Sequence, residues 1–293
     1  MLDFQIARHR EPQRFLDETG DYLVAQEASH NLMLGLLLAL CEQQNSIQPR
    51  YMATIRSAKG GMVGAALRTD QHNLILSVIP DEAAITALAA DVLAEDPELP
   101  GILGPKESAA LFVAKWHAFT EDLAVCEVKE RIYELTAVNP GPTGNGSVRR
   151  VGLEDVSWLV PWVADFMEEA LPEVDDVSNR AKQAVEQRLA RDPKQGGFMV
   201  LEENHEPCCI VGYTGPTSTG IRVAPVYTPK NLRGRGYATG LVRQVSQQLL
   251  DWGYQRVFLF TDLSNPVSNQ IYLNVGYRPV LDVDQYRFQR RNS

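Results

Sequence analysis

Residues 233–238, with the sequence Arg-Gly-Arg-Gly-Tyr-Ala, form a glycine-rich turn whose composition suits the binding of an anion. Residues 221–228, which precede the turn, are rich in β-branched side chains and predict a strand. Residues 237–252 repeat apolar side chains at helical spacing. The first N–H groups of a helix have no internal partner, and the helix dipole favours negative charge there. Because Gly234 and Gly236 let a ligand approach the backbone closely, the turn predicts a phosphate site.

The spacing of the glycines excludes two common nucleotide motifs. The ATP-binding loop ends in Gly-Lys-Ser/Thr, whereas this turn continues with Gly-Tyr-Ala. The dinucleotide fingerprint is G-x-G-x-x-G, and Gly234, Gly236 and Gly240 are spaced one residue too widely for it. The pattern Arg233-x-x-Gly236-x-Ala238 instead resembles the Q/R-x-x-G-x-G/A acetyl-CoA signature of the GCN5-related N-acetyltransferase (GNAT) superfamily. A basic surface turn before an ordinary helix is the alternative interpretation.

A second segment lies at the distance that this family requires. Residues 256–261 are nearly all apolar and predict a buried strand. Asn265, Ser268 and Tyr272 follow at spacings of three and four, which places them on one helix face. They match the N-x-x-A/S-x-x-x-Y segment of the GNAT superfamily, which a Gly-Tyr pair at 276–277 closes. The alternatives are a helix-capping asparagine and a half-buried helical tyrosine.

The resemblance implies transfer of an acetyl group from acetyl-CoA to an amine by direct attack, without a covalent enzyme intermediate. It implies that Val226 and Thr228 bind the pantetheine arm, and that a backbone N–H of the same strand polarises the thioester carbonyl. Asn265 would reach the pantetheine arm, and Tyr272, a phenol with an ordinary pKa of ~10, would protonate the leaving thiolate. The full set of implied cofactor-binding residues is Val226, Tyr227, Thr228, Arg233, Gly234, Arg235, Gly236, Tyr237, Ala238, Thr239, Asn265 and Ser268.

The general base and the acceptor are less well defined by the sequence. Asp262, just past the predicted strand, is the catalytic base that we predict, and Glu168 and Glu169 are alternatives near the end of a helix. The acidic run 168–176 would favour a cationic acceptor, or it forms a solvated surface. The predicted partner is a small-molecule or peptide amine. The alternative function is a non-catalytic CoA-binding regulatory module, although such a module would not need the acid Tyr272.

Composition limits the other partners. The chain of 293 residues has a formal net charge of −9, which argues against nucleic acid or a membrane as a partner. Lys230, Arg233, Arg235 and Arg243 form a basic group around the proposed phosphate turn. The cysteines and histidines show no metal-binding spacing, so we expect no metal. The N-terminus lacks the pattern of a signal peptide and the apolar run 32–41 is too short to span a bilayer, which predicts a cytoplasmic protein and leaves a homodimer open.

Residues 136–147, dense in Gly, Pro, Asn and Ser, predict a linker between two halves. The second half, 148–293, reads as strand, two helices, hairpin, strand, turn, helix, strand, helix and strand, which is the GNAT order. The predicted fold is therefore α/β (α+β), with a mixed, mostly antiparallel sheet flanked by helices. The first half, 1–135, repeats part of this order without the cofactor signature. It is predicted to be a degenerate GNAT-like domain, with an unrelated α/β cap domain as the alternative.

Three predictions concern elements of the first half. Residues 22–42 contain a long helix with a leucine stripe, and residues 51–68 form a hairpin. Residues 81–93 form a helix that begins at an acidic cap. The segment 100–106, Pro-Gly-Ile-Leu-Gly-Pro-Lys, reads as a rigid turn because glycine and proline bound it on both sides.

Overall fold

The computed structural model describes residues 4–42, 49–70, 72–143, 146–170 and 176–290. The chain divides into two compact units, which we call the first and the second unit. The first unit comprises Met1–Ile132, Asp262–Ser264 and Val280–Ser293, and the second comprises Tyr133–Thr261 and Asn265–Pro279.

The described part of the chain contains helices and strands in both halves. In the N-terminal half they are β1 Phe4–Arg8, α1 Pro12–Val24, α2 Glu27–Cys41, β2 Pro49–Ser57, β3 Met62–Thr69, β4 Leu74–Leu76, α3 Glu82–Glu95, β5 Gly101–Pro105, α4 Lys106–Thr120 and β6 Leu123–Leu135. In the C-terminal half they are β7 Ser147–Arg150, α5 Val156–Ala170, α6 Val177–Leu189, β8 Gly197–Glu203, β9 Glu206–Thr214, β10 Gly220–Tyr227, α7 Tyr237–Asp251, β11 Arg256–Asp262, α8 Pro266–Val275 and β12 Arg278–Gln289.

The second unit is a sheet with helices on both faces. Its strands lie in the order β7-β8-β9-β10-β11, with β10 and β11 parallel and the other neighbours antiparallel. Side chains of α5 and α6 pack on one face, around Leu159, Val185 and Phe198. Side chains of α7 and α8 pack on the other face, around Leu241 and Val257. Strand β11 is therefore covered on both faces, which explains its nearly continuous apolar sequence.

The first unit repeats this plan. Strands β2, β3 and β4 are antiparallel neighbours, and β4 pairs in parallel with β5, the two being joined through α3. Helices α1 and α2 cover one face, and α3 and α4 cover the other. The mixed, mostly antiparallel sheet is thus confirmed, and the N-terminal half repeats the arrangement of strands and helices in the second unit. The hairpin β2–β3 and helix α3, capped by Asp81, lie where the sequence predicts them.

The prediction of a turn at residues 100–106 is wrong. Gly101–Pro105 is strand β5, paired in parallel with β4 and antiparallel with β12. Its glycines allow close packing rather than a turn. A Cβ on Gly101 would lie 2.0 Å from the carbonyl oxygen of Tyr286, and one on Gly104 would lie 2.8 Å from Cβ of Leu76.

Two other predictions of boundaries differ from the structure. The leucine-rich helix is α2, and a separate helix α1 precedes it from Pro12, a residue that suits a first helical turn. The backbone leaves the helical region at Gln26, with φ −131° and ψ 54°, which separates the two helices. The C-terminal strand belongs largely to the first unit rather than to the second half, because Val283–Arg287 pairs with β5.

Most of the predicted linker packs against the second unit, and residues 144–145 lie outside the described part of the chain. The buried Arg243 on α7 donates to the carbonyl oxygens of Asn139 (3.2 Å), Pro142 and Asn274 (3.5 Å). The N–H of Asn139 donates to the carbonyl of Val275 at 2.8 Å. Arg243 thus donates hydrogen bonds to backbone carbonyl oxygens of the linker. It is not part of a basic surface around the phosphate turn.

Asp155 joins strand β7 to the start of α5. Its buried carboxylate accepts two hydrogen bonds from Arg149, at 2.6 and 2.8 Å, and one from the N–H of Gly152 at 2.9 Å. The indole N–H of Trp158 donates a fourth at 3.1 Å. These bonds, chiefly those from Arg149, lower the pKa of Asp155 to about 2.

We predict that Asp155→Asn lowers the free energy of unfolding at pH 7 by about 1.5–3 kcal/mol, since hydrogen bonds to a charged group are lost. The pKa of Asp155 is lower in the folded state than the unfolded value of ~3.9, so its stabilisation is complete above that value. This stabilisation is lost as the pH falls from about 4 through 2, so the difference in the free energy of unfolding between parent and variant becomes smaller. Urea unfolding at pH 7 and about pH 3 measures this, with Asp251→Asn on the surface as control. An equal difference at both pH values would contradict the assignment.

Candidate active site

Strands β10 and β11 separate partway along their length. Their parallel pairing covers Gly220–Arg222 against Arg256–Phe258, and both strands continue beyond it. The separation leaves a cleft-forming edge on β10 from about Val223 to Tyr227, because β11 supplies no partner there.

A bulge in β10 lies beside this separation. Val223 pairs with Tyr213 of β9 and Val226 pairs with Val211, so Ala224 and Pro225 together oppose the single residue Gly212. Two residues opposite one bend the bulged strand and disturb its hydrogen-bond ladder. Val226, a predicted pantetheine contact, is therefore held in the sheet by β9 on one side, directly after the bulge.

The glycine-rich turn follows and leads into α7. Gly234 and Gly236 have φ values of +80° and +82°, in the left-handed region that favours glycine. A Cβ on either residue would meet no atom within 4 Å, so the space above the turn is open.

The start of α7 has no internal cap. The first intrahelical bond runs from the N–H of Gly240 to the carbonyl of Gly236. Within residues 176–290, the N–H groups of Tyr237, Ala238 and Thr239 have no acceptor, and the first turn carries no acidic side chain. Uncapped N–H groups at a helix start, together with open space above two glycines, suit a bound phosphate.

The basic side chains around the turn are partly neutralised. Arg233 donates to the carbonyl of Thr228 at 2.8 Å and to both carboxylate oxygens of Glu169, at 3.0 and 2.7 Å. Lys230 lies 3.6 Å from the same carboxylate. The guanidinium of Arg235 lies 3.5 Å from the carbonyl of Asn231. Arg233 thus ties the turn to α5 and braces the loop.

The side chains of Tyr227 and Tyr237 point into the protein. The backbone groups of these two residues, rather than their rings, therefore lie nearest to the turn. Tyr227 donates its hydroxyl to Asp165 on α5 at 3.1 Å, and burial raises its pKa to about 12. Tyr237 donates to Glu203 on β8 at 2.5 Å, and this hydrogen bond raises the pKa of Tyr237. Both side chains anchor the turn to the sheet and to α5.

Asn265 and Ser268 lie at the start of α8. The side-chain oxygen of Asn265 accepts the N–H of Ser268 at 3.0 Å, which makes Asn265 the helix cap. Its carbonyl oxygen accepts the side-chain amide of Asn269 at 2.7 Å. The side-chain N–H₂ of Asn265 has no acceptor in the described part of α8 and its surroundings, so it is left for a ligand while the oxygen caps the helix.

Tyr272 lies one turn further along α8, with its ring buried. The ring packs against Tyr133 (centroids 6.3 Å apart) and Tyr277 (5.9 Å). Its hydroxyl makes no hydrogen bond within the described residues, yet it is not among the enclosed unpartnered polar atoms, which are Arg150 Nε and Thr228 Oγ1. Burial raises the pKa of Tyr272 well above that of a free phenol, so the hydroxyl is protonated at neutral pH.

Thr228 and Cys209 add a feature that the motifs did not indicate. The hydroxyl of Thr228 is enclosed and makes no hydrogen bond within the described residues. Burial raises the pKa of the nearby Cys209 thiol to about 12, so it carries no charge. No motif in the sequence indicates that Cys209 lies beside this strand end.

The predicted bases differ in their surroundings. Asp262 is exposed, and its Oδ1 accepts the N–H of Ser264 at 2.7 Å. It falls in the first unit, so its role as the base stays a prediction. Glu169 forms ion pairs with Arg233 and Lys230. Much of the acidic run, 171–175, lies outside the described residues.

The first unit fills the corresponding helix start with its own carboxylate. Asp81 precedes α3, and its Oδ1 accepts the N–H groups of Ala83 (2.8 Å) and Ala84 (3.2 Å). The corresponding residue before α7 is Gly236, which has no side chain. A phosphate at the start of α3 would have to displace this carboxylate.

The backbone after β4 is also satisfied internally. The hydroxyl of Ser108 accepts the N–H of Ile79 at 2.9 Å and lies 3.1 Å from its carbonyl oxygen. The N–H of Val78 donates to His30 at 3.0 Å, and its carbonyl accepts the hydroxyl of Tyr22 at 2.5 Å. In the described part of the first unit, the helix start and the strand end that correspond to the candidate site are therefore satisfied internally.

Two other features bear on the chemistry. The described residues contain no group of three or more His, Cys, Asp and Glu side chains placed to bind a metal ion. The helices in these ranges are too short or too polar to cross a membrane.

Comparison with known proteins agrees with the geometry of the second unit. A sequence profile of the acetyltransferase (GNAT) family matches residues 161–277, which include β10, the turn, α7, β11 and α8. Residues 161–277 therefore resemble a GNAT domain. The match contains both motifs and the separated strands of this GNAT-like domain. Comparison with curated protein sequences finds no match.

Solved structures resemble the whole chain in fold. An acetyltransferase of the GNAT family from Colwellia psychrerythraea has 12% identity and a TM-score of 0.59, covering 97% of this chain and 100% of that one. A GCN5-related N-acetyltransferase from Sphaerobacter thermophilus has 14% identity and a TM-score of 0.60, over 99% and 97%. A tandem GNAT protein from the clavulanic acid biosynthesis pathway has 13% identity and a TM-score of 0.58, over 99% of both. At these identities the similarity establishes a shared tandem fold.

Proposed function

We propose that the GNAT-like domain is an N-acetyltransferase that moves an acetyl group from acetyl-CoA to an amine, with Tyr272 as the general acid. The observation that carries this proposal is the separation of β10 from β11 next to the uncapped start of α7 and the hydroxyl of the buried Tyr272. The match to the GNAT family supports acyl transfer in general. The geometry of the second unit supports acetyl-CoA as the donor and Tyr272 as the acid.

The residues fit the chemistry of acetyl-CoA. The N–H groups of Tyr237, Ala238 and Thr239, with those of the turn, would hold the pyrophosphate over Gly234 and Gly236. The open edge of β10 at Val226 to Thr228 and the free amide of Asn265 would hold the pantetheine arm. Bound acetyl-CoA supplies an activated acetyl group that an amine attacks directly.

The protein contributes positioning and one proton. Backbone N–H groups beside the bulge of β10 would stabilise negative charge on the carbonyl oxygen. The hydroxyl of Tyr272 would give its proton to the leaving sulfur. Burial raises the pKa of Tyr272, which makes it a weaker acid than a free phenol. We therefore expect the proton to move in the same step as the cleavage of the C–S bond, because negative charge would otherwise develop on the sulfur.

Release of CoA in the presence of a library of amines tests the function as a whole. The proposal requires CoA release that depends on both protein and amine. Tight binding of acetyl-CoA without release for any amine would instead favour the non-catalytic regulatory module.

We predict that the full chain binds one acetyl-CoA. The helix start of the first unit is filled by Asp81 and its strand end by Ser108, whereas the second unit offers free N–H groups. Isothermal titration calorimetry should give a stoichiometry of one, with NAD and ATP binding far more weakly. Two equivalent sites would contradict the contrast between the units.

We predict that Gly236→Val weakens acetyl-CoA binding at least about tenfold, because a branched side chain would occupy the phosphate position and restrict φ. Gly253→Val is the matched control. Gly253 also has a positive φ, +106°, and open space where a Cβ would lie, but it follows the opposite end of α7.

Both valine variants should lose a similar stability, of the order of 1–2 kcal/mol, from the left-handed backbone. Calorimetry and thermal unfolding separate the two effects. Parent-like acetyl-CoA affinity in a folded Gly236→Val protein would show that the turn is not the phosphate site.

We predict that Tyr272→Phe lowers turnover by roughly 10²-fold while the affinity for acetyl-CoA hardly changes, since the ring remains and only the proton donor is lost. Tyr254→Phe, which removes a surface hydroxyl bonded to the carbonyl of Lys194, is the control. Single-turnover kinetics make the measurement independent of product release. Full single-turnover activity in Tyr272→Phe would exclude the tyrosine as the acid.

A further inference from the structure

Arg188 on α6 lies against the bulge of β10. Its guanidinium donates to the carbonyl oxygen of Ala224, one of the two bulged residues, and stacks over the ring of Phe198 with 5.2 Å to the centroid. Gly212 makes room for it, since a Cβ there would lie 2.6 Å from Nη1 of Arg188. A long cationic side chain is thus directed to the part of β10 where the acetyl group would react.

The positive charge of Arg188 is not balanced by a carboxylate. Within the described residues its hydrogen bond goes to a carbonyl, and no acidic side chain forms an ion pair with it. The charges that act on it, Arg222 and Arg191, have the same sign. Burial and these neighbours lower the pKa of Arg188 to about 9. By contrast, Arg149 and Arg233 of the same unit contact carboxylates.

The guanidinium also has donors to spare. It carries five N–H groups in a planar fork, and the bond to Ala224 uses one of them. The remaining donors are not enclosed, because the sealed polar atoms without a partner among the described residues are Arg150 Nε and Thr228 Oγ1. A partly buried arginine with free donors and no counterion is suited to a bidentate anion.

We propose that Arg188 binds an anionic group of the acceptor, so that the acceptor is a small amine that also carries a carboxylate, such as an amino acid. The proposal rests on the proposed N-acetyltransferase function and names its substrate class. It replaces the cationic acceptor that the acidic run 168–176 would favour, since Glu169 in that run is already paired with Arg233 and Lys230.

The arrangement also affects the nucleophile. A nearby positive charge disfavours the ammonium form of a bound amine and lowers its pKa. The amine must be neutral to attack the acetyl carbon, so Arg188 reduces the demand on a general base. This would explain why no carboxylate in the described part of the second unit is clearly placed as that base.

Matched pairs of acceptors test the proposal. Glycine, β-alanine and phenylalanine are each compared with the corresponding amide, which keeps the amine and removes the charge. We expect kcat/KM to be about 10–100-fold higher for the acids, the range for a charge-assisted hydrogen bond. Ligand-observed NMR can measure the affinity for the N-acetylated acids and for the N-acetylated amides in the presence of CoA. This gives the same comparison of acid with amide without turnover.

The variants are Arg188→Gln and, as control, Arg180→Gln, which removes an exposed arginine of the same helix. Arg188→Gln should abolish the preference by lowering the values for the acids, with the amides changed less than about threefold; Arg180→Gln should keep the preference. An equal loss for acids and amides would show that Arg188 only holds the bulge and would overturn the proposal. So would the absence of any preference or of any acid binding in the parent.

Failure of this proposal is distinct from failure of the proposed function. Calorimetric binding of acetyl-CoA, followed by CoA release with neutral amines, would leave the N-acetyltransferase intact and remove only the carboxylate preference. Absence of acetyl-CoA binding would refute both. Thermal unfolding of Arg188→Gln, compared with that of Arg180→Gln, verifies that the variant is folded.

Discussion

The site depends on one constraint, the early end of the parallel pairing between β10 and β11. Where two strands of a sheet separate, their backbone groups need other partners. The second unit leaves those groups open on β10 and places the uncapped start of α7 after them. The bulge at Ala224 and Pro225, the bracing of the turn by Arg233 and Glu169, and the buried Tyr272 are all arranged around this separation.

The first unit shows that the same fold can close the site. Its parallel pair β4–β5 and helix α3 repeat the arrangement, but Asp81 caps the helix and Ser108, His30 and Tyr22 satisfy the backbone after β4. A handful of polar side chains thus supplies internal partners for the backbone groups that the second unit leaves open. In the second unit, glycine at the helix start has the opposite effect, because it supplies neither a cap nor bulk.

Much of this follows from the sequence, because glycine spacing and apolar periodicity report directly on local backbone geometry. The turn at Gly234 and Gly236, helix α8 with Asn265 as its cap, and the hairpins lie where those patterns predict them. The sequence of strand β5 predicts a turn instead, since close packing of strands and turning of the chain both require glycine. No motif indicates Arg188, because the charges around it among the described residues depend on three-dimensional neighbours.

Amide resonances in the full chain, titrated with acetyl-CoA, test the central claim most directly. The account predicts large shifts and slowed hydrogen exchange for the N–H groups of Gly234 to Thr239 and for β10 from Val223 to Thr228. The corresponding N–H groups of Val78, Ile79, Ala83 and Ala84 in the first unit should stay unchanged. Protection at the first unit, or unaltered exchange at the start of α7 under saturating acetyl-CoA, would contradict the account.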